Sequence, residues 1–138
     1  MIDHSSLTKA LTQLETSLGY LRSEASRNDI ELRKQFRAAT IQAFEFTYEL
    51  GIKMIRRQLS DIVASPGALR EMAFMDLIRT AAEAGLVREV RPFMAYREMC
   101  NITSHAYDEA KAEQVLSVAD DFVADMRFVL DQLTRRNP

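Results

Sequence analysis

One polar stretch of the chain, residues 97–108, concentrates the side chains that could do chemistry. It reads REMCNITSHAYD, with only one lone aliphatic, Ile102. If the stretch is helical, successive residues turn by about 100°, and Arg97, Asn101 and either Ser104 or His105 lie on one face. A helix that needed only solubility would carry Lys, Glu and Ala there. We therefore expect any functional site of the protein in this stretch.

The end of the stretch carries groups suited to proton transfer and group transfer. The imidazole of His105 titrates near neutral pH and can move protons or bind phosphate. The hydroxyl of Tyr107 can act as a nucleophile or accept a transferred group. The alternative is a purely structural network, because a single His is usually hydrogen-bonded within the fold and a Tyr near a helix end often only holds the loop. Spacing alone leaves these two interpretations balanced.

Other kinds of site are disfavoured by the sequence. The chain has two His and one Cys, without HExxH or CxxC spacing, so we expect no metal site. No glycine-rich phosphate loop occurs, and we expect no bound cofactor. Cys100 and His105 lie about 140° apart on a helix, which is poor geometry for a thiolate–imidazole pair.

Two glutamates on a second segment are further candidates. Glu45 and Glu49 are one helical turn apart, so they could form an acid/base pair or supply the counter-charge for Arg97. A solvated charged face explains the same spacing more simply.

Composition describes an ordinary globular chain. Its 138 residues are 47% hydrophobic and 28% charged, which predicts one soluble domain over residues 1–138. A net charge of -2 creates no overall attraction to nucleic acid or an anionic membrane. A single Cys fits a reducing compartment. We find neither a signal peptide nor a membrane-spanning run of about 20 apolar residues, and we predict a cytoplasmic protein.

Hydrophobic periodicity predicts an all-α, up-and-down bundle of four to five helices. The first helix follows Ser5 and Ser6 and carries one stripe of leucines: Leu7, Leu11, Leu14, Leu18 and Leu21. The second is predicted from about Asp29 to about Ile62, with Asn28 as its cap. Because this helix is apolar on two sides, we expect it at the centre of the bundle.

The remaining helices have clear end signals. Ser65, followed by proline, predicts a third helix over residues 66–84 that stops at Gly85. Pro92 predicts the start of the fourth helix, which carries the polar stretch. Asp108 is the expected cap of a fifth helix that continues to the end of the sequence.

Two segments together resemble a known family. Residues 40–50, TIQAFEFTYEL, and residues 101–109, NITSHAYDE, resemble the two signatures of the nucleotidyltransferase substrate-binding proteins, which belong to the HEPN superfamily and include the HepT-like toxins. The shared order of elements runs from about Leu7 to the last helix. Both signatures about 50 residues apart in an all-α chain of this length are fairly specific.

The resemblance implies a function. Family members are helical bundles that dimerise and pair with a separately encoded minimal nucleotidyltransferase in a toxin–antitoxin system. The HEPN protein is a metal-independent ribonuclease, and its partner silences it by adding AMP to a tyrosine. The family motif is an Arg, four residues, a His, one residue and the modified Tyr. Carried over, His105 matches the catalytic histidine, Tyr107 the modified tyrosine and Asn101 the Asn after the motif Arg.

The chain departs from the motif at one position. Cys100 stands where the family has Arg, and the nearest arginine is Arg97, about 60° away on a helix. A thiol cannot stabilise the charge that develops on a phosphate during cleavage. We therefore predict a protein that binds a nucleotidyltransferase and accepts AMP on Tyr107, with ribonuclease activity weakened or lost.

Two alternatives remain open. One is an active metal-independent ribonuclease that uses His105 and Arg97, with Asn101 supporting them, on RNA or a nucleotide. The other is a helical dimer whose polar stretch is only structural. The full set of predicted binding residues is Glu45, Glu49, Arg97, Asn101, Ser104, His105 and Tyr107.

Overall fold

The computed structural model describes residues 2–63 and 66–138, and within these ranges the chain contains only helices and the turns that join them. The eight α-helices are α1 (Ser5–Leu21), α2 (Glu24–Asn28), α3 (Ile30–Ser60), α4 (Pro66–Glu71), α5 (Phe74–Glu83), α6 (Pro92–Ile102), α7 (Glu109–Ser117) and α8 (Ala119–Arg136), with a 3-10 turn over Thr103–His105 between α6 and α7. The predicted all-α bundle is confirmed, although it divides into more helical segments than four or five.

The long helix α3 lies at the centre of the bundle, as its two apolar sides predict. It packs along α1 most extensively and also contacts α5, α6, α7 and α8. The rings of Phe44 on α3 and Phe122 on α8 are 4.5 Å apart at their centroids, and both are fully buried. The leucines of the predicted α1 stripe are all buried. Each buried side chain of this size stabilises the fold by about 1.5–3 kcal/mol.

The start of α3 corrects the predicted cap. Asn28 ends the short helix α2, and Asp29 is the residue that caps α3. Asp29 has an extended backbone, and its carboxylate accepts hydrogen bonds from the backbone N–H groups of Glu31 and Leu32. A cap must stand outside the helical geometry while its side chain reaches back to the first free N–H groups, and only Asp29 does so here.

Two predicted helices are interrupted. The third was expected over residues 66–84 without a break, but α4 ends at Glu71 and α5 starts at Phe74, after Ala73 adopts an extended conformation. The proposed cap Ser65 lies outside the described residues. The fifth helix is divided at Val118, whose backbone (φ -104°, ψ -2°) ends α7 and turns the chain into α8.

The other end signals are confirmed. Gly85 follows α5 with a φ of 82°, a conformation that glycine adopts without strain. Pro92 lies at the start of α6. The Asp108 carboxylate accepts a hydrogen bond from the backbone N–H of Lys111 and caps α7.

A buried polar contact fastens α6 to α8. The hydroxyl of Tyr96 donates to one carboxylate oxygen of Asp125, and Arg88 donates to the other at 2.7 Å. Tyr96 and Asp125 are 1% and 4% exposed. Burial and the adjacent carboxylate raise the pKa of Tyr96 far above its usual range, so the phenol stays protonated and keeps donating. This contact fixes the helix that carries the polar stretch.

No helix of the described residues is long and apolar enough to cross a membrane.

Candidate functional site

The polar stretch is helical only in its first half. α6 ends at Ile102, the chain tightens into the 3-10 turn, and a further turn leads to Asp108. The helical rotation of 100° per residue therefore places Arg97 and Asn101 on one face of α6. It does not predict the position of Tyr107, which lies beyond the end of the helix. Of the motif positions, Cys100 and Asn101 lie on α6, His105 ends the 3-10 turn, and Tyr107 lies on the turn that follows it.

His105 and Tyr107 lie side by side in solvent. Their ring centroids are 6.1 Å apart in an edge-to-face arrangement. Tyr107 is 85% exposed, the highest value among the exposed large hydrophobic residues of the described chain. Ser104 and Asn101 are exposed as well. A hydroxyl presented in this way is accessible to a second macromolecule.

Tyr107 borders a groove of about 390 Å³, here named the Tyr107 cleft. Its polar lining consists of Lys34, Arg37, Gln42, Glu45, Thr103 and Tyr107. The Thr103 hydroxyl lies 3.1 Å from a carboxylate oxygen of Glu45 and 2.8 Å from the carbonyl oxygen of Cys100. These contacts join the turn to α3 and set the position of the cleft wall.

Arg37 is a buried cation in this cleft. The residue is 8% exposed. Its guanidinium pairs with Glu109 and Glu113 of α7, each at 3.4 Å. A charge of this kind is stable in the interior only while it is paired. Sequence spacing did not identify Arg37, because its partners are more than 70 positions away.

Cys100 is half-buried beside α3. Its burial, and then the negative charges of Glu45 and Glu49, raise the pKa of its thiol to about 11. The thiol is therefore neutral at physiological pH. Glu45 and Glu49 therefore place negative charge near position 100, where the family motif has an arginine.

Arg97 packs against α5. Its guanidinium carbon is 5.0 Å from the centroid of the Phe74 ring, a cation–π contact. It lines a second groove of about 620 Å³, the Arg97 cleft, together with Tyr48, Glu49, Lys53, Arg56 and Arg57. Burial raises the pKa of Tyr48 to about 12, against an opposing effect of the nearby Arg97 and Arg56.

The structure thus brings some predicted residues together and separates others. His105 and Tyr107 form one group, and Glu45 lies close to it through Thr103. No ion pair between described residues joins Arg97 to Glu45 or Glu49, although Glu49 lines the same cleft as Arg97, so a counter-charge role stays a prediction. Arg97 stacks on Phe74.

Comparison with known proteins places this arrangement in a family. Residues 2–135 match the model of the family described as nucleotidyltransferase substrate binding protein like. The chain belongs to this family. The match includes α3, α6 and the turn with Tyr107, and it confirms the resemblance carried by the two sequence signatures.

A curated protein and a solved structure, both from Haemophilus influenzae, agree with this assignment. A protein named probable ribonuclease HepT is 43% identical over 100 residues, which cover 72% of this chain and 68% of that protein. A solved structure is 34% identical, with a TM-score of 0.91, and the match covers 96% of this chain and 99% of that one. It is described as revealing the fold of a substrate binding domain of a nucleotidyltransferase.

Within the described residues, no three His, Cys, Asp or Glu side chains are placed so that they could share a metal ion.

Proposed function

We propose that the protein is the HEPN-type partner of a minimal nucleotidyltransferase, which binds it and transfers AMP to Tyr107. The observation that carries this proposal is the 85% exposure of Tyr107 on a turn that the family motif assigns to the modified tyrosine. An exposed phenol can enter the active site of a separate enzyme without unfolding of the bundle. Family resemblance further supports a homodimer that acts in the cytoplasm.

The transfer step balances with ATP as the second substrate. The Tyr107 oxygen attacks the α-phosphorus, a phosphorus–oxygen bond forms, and the bond between the α- and β-phosphates breaks. Pyrophosphate leaves, and the phenolic proton passes to solvent. The transferase and its magnesium ions supply the catalysis, and this chain supplies the acceptor.

Weak or absent ribonuclease activity is the second part of the proposal. Cleavage of RNA needs a cation near His105 to stabilise the charge on the scissile phosphate. The motif position holds a neutral thiol next to Glu45 and Glu49, whose charges repel a phosphate. Arg97 is held against Phe74, in the other cleft.

Intact-mass measurement tests the acceptor role. The protein is incubated with the nucleotidyltransferase, ATP and magnesium, and we expect at least one adenylate to be added. Tyr107→Phe should abolish the addition, whereas Tyr20→Phe, which removes another exposed hydroxyl on α1, should leave it intact. An unchanged mass with an active transferase would refute this role.

An active ribonuclease is the second candidate function, favoured by the relative named probable ribonuclease HepT and by the cations of the Arg97 cleft. It predicts RNA cleavage by the purified protein that is lost in both His105→Ala and Arg97→Ala. Intact RNA after prolonged incubation would exclude it.

A further inference from the structure

The Tyr107 cleft has the charge and the size to receive a group attached to its own tyrosine. We propose that the adenylate on Tyr107 folds back into this cleft, where Lys34 and Arg37 bind its phosphate. This inference rests on the proposed function, because it concerns the adenylate formed there. It describes how the modified state is held in one conformation and shielded from hydrolysis.

Arg37 supplies a buried charge that is only loosely satisfied. Its two ion pairs, with Glu109 and Glu113, are 3.4 Å long, whereas charge-assisted hydrogen bonds are typically about 2.7–2.9 Å. Both glutamates are well exposed, so water solvates either of them once it is displaced. A phosphodiester can therefore replace one carboxylate and leave no buried charge unpaired.

Lys34 supplies a second cation on the same side of α3. It lies three residues before Arg37, which places both on one helical face. Its ion pair with Glu31 is 3.5 Å long and exposed, and a pair of this kind is easily given up. Once Glu31 and one carboxylate partner of Arg37 are displaced, both cations can donate to the phosphodiester.

The rest of the cleft suits an adenosine. Its volume of about 390 Å³ lies within the range of small-ligand sites, roughly 300–1,000 Å³. Ala38, Ile41 and Ala106 give it an apolar surface, and the amide of Gln42 has the donor and acceptor that pair with the edge of adenine.

The charge gradient along α3 fixes the orientation of the bound group. Lys34 and Glu45 are separated by roughly 16 Å along the helix axis. Because Glu45 repels the phosphate, we expect the phosphate at the Lys34 end and the base towards Gln42.

Enzymatic removal of the adenylate tests the docking. The adenylated protein is treated with a phosphodiesterase that hydrolyses the tyrosine–AMP linkage, and the loss of AMP is followed by intact mass. We expect the adenylate to be removed from Lys34→Ala and from Arg37→Gln roughly tenfold faster than from the unaltered protein, since each loses a charge-assisted hydrogen bond. The matched control is Lys9→Ala, which removes an exposed lysine of α1 that does not line the cleft and forms no ion pair among the described residues; its rate should stay within about twofold.

The outcomes separate the two proposals. If wild-type Tyr107 carries an adenylate but all variants lose it at the wild-type rate, the docking is refuted and the acceptor role stands. If no adenylate forms on wild-type Tyr107, both are refuted. Because Lys34 is exposed, Lys34→Ala should fold normally and keeps the test decisive even if Arg37→Gln is unstable.

Discussion

The Tyr107 cleft and the Arg97 cleft offer different chemistry, and the Cys100 thiol feels the charge of Glu45 from the first and of Glu49 from the second. The Arg97 cleft gathers Lys53, Arg56, Arg57 and Arg97 around one groove, and none of these cations forms an ion pair among the described residues. The Tyr107 cleft has an exposed nucleophilic hydroxyl and a cation, Arg37, that is buried and paired. One cleft is rich in free positive charge, and the other holds the reactive groups.

This difference is the basis for our proposal that AMP acceptance and RNA cleavage separate in this chain. Phosphodiester cleavage needs the cation and the histidine at the same phosphate, but here Arg97 packs on Phe74 and the motif position holds a thiol close to the negative charges of Glu45 and Glu49. Acceptance of AMP needs only a reachable phenol, because the transferase brings its own catalytic groups. A single side chain at position 100 is therefore expected to decide whether the two clefts act as one site.

Replacing Cys100 with Arg should produce the largest change. A guanidinium at this position would lie beside Glu45 and Glu49, and it could reach a phosphate held near His105. Loss of one such charge-stabilising group typically costs roughly 100- to 1,000-fold in rate, so we expect Cys100→Arg to increase RNA cleavage by about 100-fold. Cleavage of a labelled single-stranded RNA by the purified protein measures the effect.

Matched variants assign that gain to the restored motif. Cys100→Ser removes the thiol without adding a charge and should leave cleavage unchanged. The double variant Cys100→Arg/His105→Ala should return to the starting level. Equal cleavage by Cys100→Arg and wild type would mean that the lack of a positive charge at position 100 does not limit RNA cleavage.

Removing the buried contact between Tyr96 on α6 and Asp125 on α8 should have the next largest effect. Asp125→Ala leaves the buried Tyr96 hydroxyl without its acceptor and Arg88 without its partner. Loss of one member of a buried pair costs about 3–5 kcal/mol, and because Arg88 is half-exposed we expect a smaller loss, about 2–3 kcal/mol, in the free energy of unfolding. Urea denaturation measures it.

The control for Asp125 lies on the same helix. Asp131 is exposed, and Asp131→Ala should change the free energy of unfolding by less than about 0.5 kcal/mol. Similar losses in both variants would show that the contact between Tyr96 and Asp125 contributes no more to the free energy of unfolding than an exposed carboxylate does.

Much of this fold follows from local sequence signals. Gly85, Pro92 and Asp108 act within one turn of the chain, so their roles can be predicted from residue type alone. The break at Val118 carries no Gly or Pro, and the choice of Asp29 over Asn28 as a cap depends on which backbone is extended. Such features are decided by packing against neighbouring helices, which spacing does not reveal.

The candidate site shows the same division. His105 and Tyr107 are close in sequence, and their proximity follows from the turn. The hydrogen bond of Thr103 to Glu45 and the burial of Arg37 depend on the register between α3 and the segments after α6. That register is set by the whole core, so the contents of the cleft could not be predicted from the motif.

The negative charges of Glu45 and Glu49 should be detectable in the reactivity of Cys100. Only the thiolate reacts rapidly with iodoacetamide, and burial, followed by the charges of Glu45 and Glu49, raises the pKa of this thiol from 9.0 to about 11. Labelling of the native protein should therefore be slow at pH 8 and accelerate up to about pH 11. The same shift leaves the free energy of unfolding unchanged below pH 9.0 and lowers it as the pH rises from 9.0 to about 11, because the thiolate is disfavoured in the folded state.

Glu45→Gln should change this reactivity by the smallest amount of the effects considered. The amide keeps an acceptor for Thr103 but removes one negative charge, so the pKa of the thiol falls and labelling at pH 8 accelerates by roughly two- to fivefold. Glu31→Gln, an exposed change at the other end of α3, should leave the rate unaltered. If both variants label at the wild-type rate, Glu45 does not contribute to the raised pKa of the thiol, and the weak ribonuclease activity would have to be attributed to the missing cation without any repulsion from Glu45.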